Sequence, residues 1–114
     1  MLSDSLQTLV SMLKDAGYEV VTKPQELMRP NELYVDVAGV DVEEYYTGGA
    51  KIVITYIVGW MDTNRVAFLN KCEEILKTIN TPIYTVSGVD TDIDGEYILG
   101  FLSIKYVEVI EFGE

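Results

Sequence analysis

Leu2, Leu6, Leu9, Val10 and Leu13 recur at helical spacing, and Ser3, Asp4, Gln7, Thr8, Ser11, Lys14 and Asp15 fill the opposite side. This predicts an amphipathic helix from about Asp4 to Ala16. Ser3 or Asp4 is its expected N-cap, and Gly17 provides the left-handed exit. Tyr18 to Thr22 reads as a short strand. Pro24 and Pro30 then force a loop over Lys23 to Asn31, in which Leu27, Met28 and Arg29 either fold back on the core or meet a partner. From Glu32 to Gly59 the period drops to two. Leu33, Val35 and Val37 share one face, Gly39 permits a bend, and Thr47, Gly48 and Gly49 form the tip joining Val42–Tyr46 to Lys51–Val58.

The helical period returns after Asp62, Thr63 or Asn64, one of which caps a second helix with the stripe Phe68, Leu69, Cys72, Ile75, Leu76 and Ile79. Glu73 and Lys77 form an i, i+4 pair in the favourable order. Asn80, Thr81 and Pro82 end the helix. Ile83–Ser87 and Tyr97–Phe112 read as a closing hairpin around a loop from Gly88 to Glu96. The expected order is α-β-β-β-β-α-β-β. This is an α+β domain spanning residues 1–114, with one mostly antiparallel sheet of five to six strands and two helices packed on one face.

Composition narrows the function. Nineteen acidic residues against eight basic ones, with no histidine, give a formal charge of -11, which argues against a protein that grips phosphate backbones. Without imidazole, Ser-His-Asp and Cys-His catalysis are excluded, and Cys72, on an apolar stripe, reads as core; an enzyme is not expected. The run Lys51 to Met61 is short of the ~20 residues that span a bilayer. No basic-then-apolar leader is visible, so a soluble intracellular product is expected.

Asp90, Asp92 and Asp94 before Gly95 have the spacing of a calcium loop, but Phe101 stands where the bidentate glutamate belongs and the flanks read as strands. A solvated turn is the plainer reading, and no metal or cofactor is expected. Gly48-Gly49 lacks the Lys-Ser/Thr of a phosphate loop. Tyr45, Tyr46 and Trp60 lack the basic funnel of a single-strand binder, so Trp60 reads as a core or subunit-contact anchor. More unusual are strands apolar on both faces: Val53, Thr55 and Ile57 alternate with Ile52, Ile54 and Tyr56. Two helices cover one face, so the other is hidden either by the chain's own loops or by a partner, most economically a second copy.

The order of these elements resembles that of the tail terminator (tail completion, or minor tail) proteins of long-tailed bacteriophages. The resemblance is carried by the amphipathic first helix and by Tyr18-Glu-Val-Val-Thr-Lys-Pro running to Arg29-Pro30. It continues through Glu32-Leu-Tyr-Val-Asp-Val, Gly48-Gly-Ala-Lys-Ile-Val-Ile-Thr-Tyr-Ile-Val, the helix from Thr63 to Ile79 and the closing hairpin. It implies a homo-oligomeric ring, typically a hexamer, that caps the tail tube at the head-proximal end of the virion and meets the head connector. Such a ring assembles in the host cytoplasm and passes DNA only as cargo. An acidic lumen suits that role, because it repels the DNA backbone, and self-repulsion at low salt opposes premature rings. Leu27, Met28, Arg29, Tyr45, Tyr46, Gly48 and Gly49 are the expected contacts with neighbouring subunits and the tube. A neck or head-completion protein would meet the same requirements. An acidic DNA mimic that inhibits a basic host protein is the alternative from another class.

Overall fold

The computed structural model describes residues 2–23 and 29–113. The order is α1 (Ser3–Asp15), β1 (Glu19–Val21), β2 (Glu32–Tyr46), β3 (Gly49–Asp62), α2 (Arg65–Thr78), β4 (Tyr84–Asp94) and β5 (Tyr97–Glu111). The five strands form one sheet in the order β1-β2-β3-β5-β4, parallel at β1 and β2 and antiparallel elsewhere. The α+β architecture with both helices on one face is as the pattern predicts.

Four local expectations change. The stretch read as two strands bending at Gly39 is one strand, because a bulge between Val37 and Gly39 takes up the irregularity and pairing resumes at Gly39 and Thr55. The second bulge, between Val42 and Glu44, twists the strand again before the tip. The tip itself is a two-residue turn of Thr47 and Gly48, with Gly48 at φ 93° and Gly49 already in β3. Residues Gly88–Asp94 are strand, not loop, and only Gly95 and Glu96 turn. Neither Ser3 nor Asp4 caps α1: its N-cap is Leu2, with no side-chain cap bond. Asn64 does cap α2, its Oδ1 accepting from the Ala67 amide at 3.0 Å.

Antiparallel partners point to the same side, so the register sorts every strand residue onto one face or the other. The helix-covered side holds Ile54, Tyr56, Val58 and Trp60 of β3, Leu102 and Ile104 of β5, and Leu33 and Val35 of β2, all buried against Leu9, Leu13, Phe68, Ile75 and Ile79 of the helices. Trp60 is fully buried, stacked on Phe68 with ring centroids 5.2 Å apart. It is therefore a core residue. Gly100, its cross-strand partner, has no room for a side chain, since a Cβ there would lie 2.5 Å from the indole. A polar node ties α1 to the sheet. The Tyr84 hydroxyl donates to the Ser5 carbonyl at 2.6 Å, and the Ser5 hydroxyl shares a short bond with the Tyr56 hydroxyl.

Lengths explain the shape. Helices of 13 and 14 residues span about 20 Å, whereas strands of 15 residues span about 50 Å, so the sheet overhangs the helices. The molecule measures 53 × 26 × 22 Å, with a radius of gyration of 15.6 Å, where about 13 Å is usual for this length.

Candidate functional site

The overhang leaves apolar side chains uncovered at both ends of the sheet. At the tip, Val40 and Val42 of β2 lie opposite Ile54 and Ile52 on the helix-covered side, yet both are exposed. Tyr45 is 78% exposed, and its only ring contact among the described residues is with Phe112, 6.0 Å away. Between the first turn of α1 and the end of β5 lies an open hollow of about 540 Å³, lined by Leu2, Ser3, Glu108, Val109, Ile110 and Glu111. The rim is acidic, with Glu44 beside Tyr45 and Glu43 3.5 Å from Lys51.

At the opposite end, the first turns of α2 and the end of β4 frame a smaller hollow of about 240 Å³, lined by Arg65, Phe68, Leu69, Thr91, Ile93 and Ile98. Leu69 is 64% and Ile93 68% exposed, and Val66 is exposed beside them. Among the described residues Arg65 has no ion pair. The two ends thus carry different residues. The tip offers valines, an aromatic knob and carboxylates; the far end offers a shallow apolar cup with a guanidinium.

The sequence-predicted contacts divide between these ends. Leu27 and Met28 lie outside the described residues. Arg29 is exposed, its amide donating to Glu32 Oε2 at 3.1 Å, and it sits at the start of β2, whereas Tyr45 and Tyr46 sit at its end. The structure therefore does not bring the Arg29 segment and the tip together. Tyr46 points away from Tyr45 and covers Gly49, where a Cβ would lie 2.9 Å from the Tyr46 ring and 2.6 Å from the Ile110 carbonyl. Gly49 is buried by that contact, and Gly48 serves the turn. Tyr45 alone of the four tip residues projects freely. Leu69, read as part of the buried stripe, faces out instead.

Asp90, Asp92 and Asp94 are not wrapped around a common point. They alternate along strand β4, opposite Phe101, Leu99 and Tyr97, and among the described residues no group of three or more His, Cys, Asp or Glu converges on a cation site. Perturbed groups are local. The Tyr34 hydroxyl donates to Asp36 Oδ2, which lowers the Asp36 carboxyl and raises the Tyr34 phenol. Burial raises Cys72, leaving its thiol protonated and unreactive near neutrality. Tyr18 is raised first by burial and then by its bond to Glu74 at 2.7 Å, which clips the segment after α1 to α2.

No protein-family model matches this sequence, and no curated protein matches it. Among solved structures it is similar to a protein from Akkermansia muciniphila known by its crystal structure, at 13% identity and a TM-score of 0.46, over 97% of this chain and 50% of that one. It is also similar to a protein from Akkermansia muciniphila solved without its transmembrane region, at 11% identity and a TM-score of 0.42, over 97% of this chain and 56% of that one. The chain spans about half the length of these structures. Likenesses this distant carry no inference about function. Among the described residues, no helix is long and apolar enough to cross a membrane.

Proposed function

We propose that this chain is a structural subunit that assembles head to tail into a ring and serves as a tail terminator, capping the tail tube of a long-tailed bacteriophage and joining it to the head connector. The observation that carries the reading is the pair of unlike apolar patches at opposite ends of the sheet. A patch that met its own copy would make a two-fold dimer. Unlike patches that meet each other make a heterologous contact, which closes into a ring when the rotation between subunits allows it. Tyr45 enters the cup formed by Leu69 and Ile93, and Glu44 approaches Arg65 of the next copy. At -11 per subunit the assembled ring repels a DNA backbone, so a genome passes without adhering.

Complementary variants test the contact. Tyr45→Ser and Leu69→Ser each remove one half of it, and since both side chains are exposed the monomers stay folded. Light scattering and negative-stain imaging, alone and with tail tubes, should show annuli for the parent chain and none for either variant. An equimolar mixture of the two keeps one intact tip and one intact cup, and should stop at dimers. Rings formed by either variant alone would refute the contact. A parent chain that leaves tube ends bare would refute the terminator role.

A further inference from the structure

The end-to-end contacts leave the helix-free face of the sheet unused, and its pattern specifies a different kind of partner. Down its centre, on β3 and β5, run Val53, Ile57, Leu99, Phe101, Val107 and Val109; the last two are 50% and 56% exposed. Both flanks are acidic, and the register sets them beside the apolar centre pair by pair. Asp36 lies next to Ile57 and Asp41 next to Val53 on the β2 side, and Asp90 lies next to Phe101 and Asp92 next to Leu99 on the β4 side. The strict alternation in β4 directs Asp90, Asp92 and Asp94 to this face and Val89 and Ile93 to the other. Of the basic residues on the face, Lys51 is paired with Glu43, and Lys105, near mid-length, has no ion pair among the described residues.

This is a trough, apolar except for Thr55, Ser103 and Lys105 at mid-length, with carboxylates on its β2 flank toward the tip and on its β4 flank toward the far end. With strands about 4.8 Å apart, β2 and β4 are separated by roughly 14 Å, which admits one α-helix of about 10–12 Å diameter. The trough from Lys51 to Gly59, beyond which Met61 is buried, runs about 26 Å, enough for a helix of roughly 17 residues. A second copy laid on this face would set carboxylates against carboxylates. Nucleic acids and anionic membranes are repelled for the same reason.

We propose that this face docks an amphipathic helix of another protein, apolar along its centre and rich in lysine or arginine along both flanks. The helix buries its stripe on β3 and β5 and places its cations over Asp36 and Asp41 on one side and Asp90, Asp92 and Asp94 on the other. Lys105 selects a polar residue at the middle of the stripe. This is separable from ring closure, because the apolar residues of the end-to-end contact, Tyr45, Leu69 and Ile93, do not lie on this face.

The probe is a synthetic 18-residue helical peptide with a leucine stripe flanked by lysines, fluorescently labelled and titrated by anisotropy at low and physiological salt. A glutamate-flanked analogue is the control. The lysine peptide should bind at least tenfold tighter than the analogue, with amide shift changes confined to β3, β5 and their flanking strands. Asp90→Asn, Asp92→Asn and Asp94→Asn together should weaken binding about tenfold at low salt, since three exposed charge pairs are lost. Three neutralisations elsewhere, Asp15→Asn, Glu19→Gln and Glu73→Gln, should weaken it less than twofold. Val107→Ser with Val109→Ser should weaken it at both salt concentrations. Equal loss in both charge sets, or no loss in the valine pair, would reduce the effect to bulk charge and overturn the proposal. Dimerisation of the unmodified chain through this face would overturn it in favour of a second copy.

Discussion

Replacing Ser5 by alanine should loosen α1 from the sheet by more than a surface serine is worth, and replacing Tyr56 by phenylalanine should largely abolish that penalty. The Ser5 hydroxyl donates to the Leu2 carbonyl at 3.0 Å and so accepts from the Tyr56 phenol, which is buried beneath the helix. Ser5→Ala leaves that buried phenol without the hydroxyl it bonds to, a cost of about 1–3 kcal/mol. Tyr56→Phe removes the phenol but leaves the serine bonded to Leu2, at about 0.5–1.5 kcal/mol. With both changed no orphaned donor remains, and alanine's better helix propensity returns about 0.5 kcal/mol. The double variant should therefore resemble Tyr56→Phe alone, with a coupling energy of about 1 kcal/mol or more. Urea denaturation of the four proteins, followed by far-ultraviolet circular dichroism, measures it. Additive effects within about 0.3 kcal/mol would show that the two hydroxyls do not depend on each other.

Gly100→Ala should destabilise the fold by about 1–3 kcal/mol, because the new methyl meets an indole that Phe68 holds in place; a neutral or raised urea midpoint would refute this. Alkaline pH should weaken the fold through the buried phenols. Tyr84 is pushed up to about 12 by burial, then by its neighbours Tyr56 and Tyr106, against 10.0 for a free tyrosine. The native state therefore keeps a proton that the unfolded chain gives up. The stability this contributes is complete below pH 10 and is lost as pH rises through 12. Tyr84→Phe should flatten the decline in urea midpoint over that range.

Much of the fold can be read from spacing alone. The apolar stripe of α1 and the alternation of Ile52, Ile54, Tyr56 and Val58 place a helix and a central strand where the structure has them. The misreadings share a cause, which is that local residue preference gave way to pairing. Gly39 favours a bend, but β3 runs alongside and a bulge costs less than ending the ladder. Asp90, Asp92 and Asp94 favour turns, but Val89, Thr91 and Ile93 between them supply a face that pairing with β5 uses. The uncovered ends of the sheet were less legible still. Whether Val40, Val42, Leu69 or Ile93 is covered depends on where the helices stop relative to much longer strands. That is a property of packing in three dimensions and leaves no mark on periodicity.

The placement of the lone tryptophan gives the folding of this chain a reporter of its own. Locked between Phe68 and Gly100, the indole senses whether α2 is seated and is shielded from whatever touches the outside of the molecule. Tyr45 is in the reverse position, open to water. Excited alone at long wavelength, the single indole would time the seating of α2 on the sheet with no label attached.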